Sequence, residues 1–214
     1  MHAAPGDIVG FYDRHILPRL LDWGCGCGAV TAQRRKIVPL ATGRVLEVGM
    51  GSGHNLPLYD PAKVSAVVGI DPAAPSLDLA RSRAARSRVP LELIVAGGEA
   101  IPQPAASFDT VVVTYTLCSI PALSSALADI HRVLAPGGRL LFCEHGRAPD
   151  ASVARLQARL NPLWGKCAGG CHLDRDIPAE VSAGGFEVTM IEQAYLPGAP
   201  RFAGYHYIGV GRPV

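Results

Sequence analysis

A doubly wound α/β sheet with an antiparallel edge is the fold class that this 214-residue sequence predicts, and three features predict it. From Gly43 onward, short runs rich in Val, Ile and Leu recur between helical segments with little polar alternation, as buried parallel strands do. A glycine loop, Gly49-Met-Gly-Ser-Gly53, follows directly on the first of these runs. Two late apolar runs joined by a short Pro/Gly turn complete the pattern as a hairpin.

Taken in order, residues 8–41 read as mostly helical. Phe11, Ile16, Leu17, Leu20 and Leu21 form an apolar stripe containing Pro18, and Gly24-Cys-Gly-Cys-Gly28 interrupts it before a second helical piece. The strand candidates are Arg44–Val48, Ser65–Ile70, Leu91–Val95, Thr110–Thr114 and Arg139–Cys143. Leu123, Leu127, Ile130 and Leu134 keep helical spacing, and Pro136-Gly-Gly138 ends that helix. Val153, Leu156, Leu160 and Leu163 make a further stripe, while Phe186–Ala194 and Tyr205–Val210 are the hairpin. The expected division is a helical cap over residues 1–42 and a core over 43–214, within one structural domain.

Composition narrows the function. The chain is 49% hydrophobic and 18% charged, as a packed globule is. A net charge of +2 gives no electrostatic case for nucleic acid, and Arg81, Arg83, Arg86 and Arg88 read as a solvated helix face. No apolar run is long enough to span a membrane, and the start lacks the pattern of a secretory signal. A cytoplasmic protein is expected, with a small-molecule partner, as monomer or homodimer. Its cysteines would then be mostly reduced, with Cys118 and Cys143 in the core.

The glycine loop points to a ligand. Its G-x-G-x-G spacing is one residue shorter than the dinucleotide fingerprint. Glu47, just before it, is ill suited to phosphate and suits a cationic ligand. Asp71, ending the second strand, stands where an acid accepts hydrogen bonds from ribose hydroxyls.

With these residues the chain resembles the class I S-adenosylmethionine-dependent methyltransferases. Glu47–Gly53 is similar to that family's first motif, Ile70-Asp71 to its second, Ser107–Val113 to its fourth strand, and Val133–Gly138 to the turn before its fifth. The resemblance implies a Rossmann-like seven-stranded sheet in the order 3-2-1-4-5-7-6 and S-adenosyl-L-methionine as cofactor. It implies a cofactor site drawn from Glu47, Gly49, Gly51, Gly53, Asp71, Pro72, Gly98, Glu99, Thr114 and Thr116. Glu47 would lie near the methionine amino group, Asp71 on the ribose, and the Gly98-Glu99 backbone at the adenine. Many members carry an acid two residues before Glu99, where this chain has Gly97. Glu144-His145, Leu117-Cys-Ser-Ile-Pro121 and the Gly49–Tyr59 stretch resemble the branch containing animal alkyl-thiol methyltransferases. Those enzymes carry an N-terminal membrane anchor, and none is expected here.

Methyl transfer from a sulfonium needs an aligned acceptor and exclusion of water, and a base only when the acceptor arrives protonated. His145, after the fifth strand, is the first candidate for positioning or proton removal, with a purely structural histidine as the alternative. Tyr115 would wall the acceptor or orient it, and His172 would face it from a glycine-rich loop near Trp164 and Leu173. Tyr12 and His15 share a face of the first helix, which would act as a lid or simply pack. Cys167-x3-Cys171-His172, with Cys25 and Cys27, is the one cysteine grouping that invites a zinc or arsenite reading. Its spacing is not a standard ligand pattern, and no metal is expected. The expected function is methyl transfer to a small, fairly apolar acceptor, with a thiol preferred. The alternatives are C-, N- or O-methylation of a quinone, lipid headgroup or secondary metabolite, an NAD(P)-dependent oxidoreductase, and a non-catalytic cofactor-binding module.

Overall fold

The computed structural model describes residues 16–85 and 87–214, with the backbone alone at Leu21. Phe11, Tyr12, His15 and Arg86 lie outside the described residues, so the shared face of Tyr12 and His15 is not addressed by it.

Among the described residues, two α-helices precede the sheet, α1 (Leu17–Cys25) and α2 (Gly28–Ile37). The break between them falls at Gly26-Cys27, inside the glycine-cysteine segment that interrupts the stripe. Pro18 occupies the first turn of α1, a position that tolerates its missing N–H.

The sheet then follows as β1 (Gly43–Val48), β2 (Val64–Asp71), α3 (Ala74–Ala84), β3 (Leu91–Val95), β4 (Phe108–Thr114), α4 (Leu123–Val133) and β5 (Leu134–His145). It closes with α5 (Ala151–Cys167), α6 (Ile177–Ala183), β6 (Phe186–Tyr195) and β7 (Tyr205–Pro213). The strand order is β3-β2-β1-β4-β5-β7-β6, parallel except for β7, which is antiparallel to both its neighbours. The β1–β4 pair centres on Leu46 opposite Val111 and Glu47 opposite Val112.

One face of the sheet buries Leu46, Val68, Val111, Val113 and Phe142 against α4 and α6, and the other buries Val45, Val67, Val112 and Leu141 against α2 and α3. Burial on both faces is why these strands read as continuous apolar runs.

Three local expectations change. Leu134, the last member of the α4 stripe, is already extended and opens β5, which carries Pro136-Gly-Gly138 within it. The α5 stripe is not a core stripe: Leu156 and Leu163 are exposed, and the fully buried side chain is Gln157. Its amide donates to Gly146 O and Phe202 O and accepts from Ala148 N, so α5 is fixed by hydrogen bonds to loops. Arg83 is no solvated bystander, since it binds both carboxylate oxygens of Asp22 in α1 and the carbonyl of Ser52.

Candidate active site

Strand β1 ends beneath the glycine loop, where Gly49, Gly51 and Gly53 have φ of 73°, 54° and 80°, a region open to glycine because it has no Cβ. A Cβ on Gly49 would strike Thr116 Oγ1 at 2.0 Å, and one on Gly53 would meet Leu56 Cδ1 at 2.9 Å. At Gly51 the nearest atom would be Gly49 O at 3.9 Å, so this backbone lies open to a ligand's approach. Asp71 Oδ2 accepts from Gly51 N at 2.9 Å and Oδ1 from Ala73 N at 2.8 Å, which fixes the carboxylate beside the loop. Burial raises its pKa, and these two bonds oppose the rise. The neighbouring Pro72 is exposed.

Glu47 is buried, and each carboxylate oxygen has a donor: Asn55 Nδ2 at 3.0 Å and Tyr59 OH at 2.6 Å. Burial pushes its pKa up to about 7 despite those donors and the nearby Arg34. Asn55 Nδ2 also donates to Thr114 Oγ1 at 3.0 Å, so the ends of β1 and β4 share one network. Arg34, from α2, completes it by donating to Asn55 Oδ1 at 3.0 Å and to Thr114 Oγ1, with its guanidinium 4.8 Å over the Tyr115 ring.

After β3, Gly98 is buried where a Cβ would lie 3.0 Å from Val48 Cγ1 and 3.3 Å from Ile120 Cδ1. Glu99 curls back, so that a Cβ on Gly97 would lie 2.7 Å from Glu99 Oε2. The carboxylate of Glu99 thus fills space beside the position where many relatives of the resemblance place an acid.

Just after β4 the backbone is under strain. Tyr115 has φ of 54°, uncommon for a bulky side chain, and its N–H donates to Cys143 O at 2.8 Å. Glu144 is buried and accepts from Thr116 N at 2.7 Å and Leu117 N at 2.9 Å, which shapes the turn carrying Cys118. Thr116 Oγ1 donates to Thr114 O at 3.2 Å, and the side chain packs on Gly49. His145 points Nε2 at Cys171 Sγ, 3.0 Å away, and Cys171 Sγ lies 3.8 Å from Cys118 Sγ. His172 N donates to Cys118 O at 2.8 Å, and its Nδ1 lies 3.2 Å from Asn161 Nδ2. Arg175 ties this loop to the 117–120 segment, with Nη2 donating to Ile120 O at 2.7 Å and Nη1 to Leu117 O.

The glycine loop, Asp71, Thr114 and Thr116 therefore meet at one end of the sheet, with Tyr115, His145 and His172 on the neighbouring strand ends and loop. Of the cysteines grouped by spacing, Cys27 and Cys167 are exposed and Cys25 is half-buried, while Cys171 turns inward to Cys118 and His145. Sequence reading missed Arg34, Asn55 and Tyr59, which join through the fold. It also missed Asp22, whose Oδ1 accepts from Ser52 Oγ at 2.5 Å and from Arg83 at 2.8 Å, anchoring α1 over the loop. A lone buried arginine in an amphipathic helix carries no sequence signal of its partners. Among the described residues, the buried side-chain nitrogens and oxygens without a partner in the protein are Arg34 Nε, Glu144 Oε2 and His145 Nδ1. All three belong to residues at this end of the sheet.

Comparison with known proteins agrees. Residues 46–142 match the family model described as a methyltransferase domain. Thiol S-methyltransferase TMT1B of Rattus norvegicus is 36% identical over 170 residues, which covers 75% of this chain and 68% of that protein. The chain belongs to the class I S-adenosylmethionine-dependent methyltransferases. Demethylmenaquinone methyltransferase of Thermus thermophilus is 32% identical over 187 residues, covering 83% of this chain and 82% of its own. Among solved structures, the 1,6-didemethyltoxoflavin-N1-methyltransferase of Burkholderia thailandensis, with S-adenosylhomocysteine bound, superposes with a TM-score of 0.71. It covers 100% of this chain and 92% of its own at 16% identity, a likeness of fold. Family membership sets aside the oxidoreductase alternative, and the open backbone at Gly51 beside Asp71 fits the family's nucleoside cofactor. Among the described residues no helix of this methyltransferase is long and apolar enough to cross a membrane.

Proposed function

We propose that this methyltransferase acts on a small, fairly apolar molecule whose methyl acceptor is a thiol, held where β4 and β5 end. The observation that carries the reading is the pairing of an imidazole with sulfur. His145 Nε2 lies 3.0 Å from Cys171 Sγ, and Trp164 Nε1 donates to the same sulfur at 3.3 Å. A corner that already orders one sulfur between two ring nitrogens is suited to seating another. The similarity to thiol S-methyltransferase TMT1B supports the same choice.

Bound S-adenosylmethionine supplies a methyl group already activated on a sulfonium. The chain's own residues have three tasks. Gly49, Gly51 and Gly53 let the backbone approach the cofactor, Glu47 gives its cationic end a carboxylate, and Asp71 accepts from the ribose. Gly98 and Glu99 border the adenine, and Pro72 flanks Asp71. Tyr115, braced by Arg34, walls the acceptor, while Thr114 and Thr116 hold the strand end against the loop. His145 and His172 would position the acceptor sulfur for attack, which requires a spacing of about 3 Å. The acceptor sulfur would take the methyl group that the bound cofactor supplies, leaving the cofactor as its thioether, and a proton brought by the thiol would pass to solvent or base.

A quinone-type acceptor, methylated on carbon, is the second reading, favoured by the similarity to demethylmenaquinone methyltransferase across most of the chain. Transfer of a labelled methyl group to a panel of alkyl thiols, phenols, amines and a reduced naphthoquinone separates the two. Label in the thiols supports the first reading. Label in the quinone alone replaces it with the second, and binding of S-adenosylhomocysteine without turnover on any acceptor favours a non-catalytic module.

A further inference from the structure

Cys118, His145 and Cys171 come from three separate places in the chain: the turn after β4, the last residue of β5 and the loop after α5. Their ligand atoms all lie within 4.8 Å of one another. Both cysteines are buried, and His145 is half-buried. The loop that delivers Cys171 depends on Gly169 and Gly170, with φ of 62° and 81°.

We propose that these three side chains form a binding site for a divalent zinc ion. Two thiolates and an imidazole are a ligand set that zinc favours over the hard divalent cations. The spacing agrees. Two Zn–S bonds of about 2.3 Å at the tetrahedral angle place the sulfurs about 3.8 Å apart, and Cys118 Sγ and Cys171 Sγ are 3.8 Å apart. A linear two-thiolate cation at the same bond length would need about 4.6 Å. The Nε2–Sγ distance of 3.0 Å must open by about 0.5 Å to reach the tetrahedral value, a small movement for a loop side chain. The Trp164 N–H on Cys171 Sγ stabilises a thiolate, as an outer partner of a metal ligand does. Binding exchanges two S–H protons for the metal, and both leave to solvent.

Three protein ligands leave one tetrahedral position open, as at catalytic rather than structural zinc sites. An acceptor thiolate suits that position. This use of the site rests on the thiol reading above, whereas zinc binding itself rests only on the three side chains.

The test uses the full chain, reduced, stripped by a chelator and titrated with zinc in competition with a chromophoric chelator. One zinc per chain is expected. Cys118→Ser and Cys171→Ser should each weaken it by more than about 100-fold, beyond the range for outer partners, and Cys27→Ser, at an exposed position, should change nothing. Cobalt loading should give a thiolate-to-metal charge-transfer band that shrinks in each of the two serine variants. Circular dichroism and melting establish that these variants fold, and the wild-type stoichiometry decides even where one does not. Substoichiometric zinc in the reduced wild type overturns the site, as does wild-type affinity in both variants or a cobalt spectrum without the thiolate band. Thiols methylated by a chain that takes up no zinc would overturn the site and keep the acceptor reading. Zinc held at one per chain with only the quinone methylated would keep the site and remove the acceptor's part in it.

Discussion

Arg34 Nη1 donates to Asn55 Oδ1 at 3.0 Å, joining the helix before the sheet to the segment after the glycine loop. Arg34 is 5% exposed, and its other contacts are Thr114 and the face of Tyr115. Glu47 lies one hydrogen-bond step away, through Asn55. Removing one member of such a buried network leaves the others unpaired. Arg34→Ala should lower unfolding free energy by about 3 kcal/mol and weaken S-adenosylhomocysteine binding, as read by denaturant titration and calorimetry. Stability and affinity both at wild-type values would mean that Arg34 is peripheral to the site.

Glu47 sets a pH dependence. Its pKa is raised from the ordinary 4.5 to about 7, chiefly by burial. Between these values the folded chain holds a proton that the unfolded chain has released, so stability falls as pH rises through the window. Glu47→Gln should remove about 3 kcal/mol of that fall between about pH 5 and about pH 8. Urea titrations at the two pH values measure it, and equal pH slopes in the two proteins would refute it. A cationic ligand beside Glu47 draws the pKa down again, so product affinity should climb with pH to about 7 and then level off.

Asp71 braces the glycine loop, and the proposed function gives it the ribose as well. It accepts from Gly51 N and Ala73 N, and its position at the end of β2 suits the ribose. Asp71→Ala should weaken cofactor binding by about 1.5–3 kcal/mol, the range for hydrogen bonds to a charged group. Unchanged affinity in calorimetry would place the ribose elsewhere.

Tyr115 keeps its left-handed backbone because Arg34, Cys143 and His206 surround its ring. As a wall it needs its ring and not its hydroxyl. Tyr115→Phe should therefore cost far less turnover than the roughly 10²–10⁴-fold of a lost general acid or base. Steady-state rates decide, and a loss in that range would make the hydroxyl part of the chemistry.

His145→Ala should lower turnover more than it lowers S-adenosylhomocysteine affinity, because its Nε2 faces Cys171 rather than the glycine loop. A wild-type rate in the variant would leave His145 a structural residue.

The central strands were legible in the sequence because strands buried on both faces must be apolar throughout, as Val111–Val113 are. The edge strand Leu91–Val95, which is only partly buried, was also placed to the residue. The glycine loop was legible because left-handed φ and close backbone approach restrict those positions to glycine. Less was legible wherever a side chain's partner lies far along the chain. The α5 stripe kept helical spacing, yet its buried residue is Gln157, since the surrounding loops offered backbone groups rather than apolar ones. Arg83 looked like one of a run of surface arginines until α1 brought Asp22 to it.

The sequence by itself determined the fold class, the position of the loop between Glu47 and Gly53, and the acid at Asp71, because each rests on local backbone geometry or on periodicity. Only the tertiary structure decided which side chains meet at the strand ends. Cys118 read as a core residue and Cys171 as part of a C-x3-C-H run, while parallel crossovers and the Gly169-Gly170 turn set both beside His145. Contacts between groups 26 and 53 residues apart are fixed by topology and loop closure, to which spacing along the chain is blind.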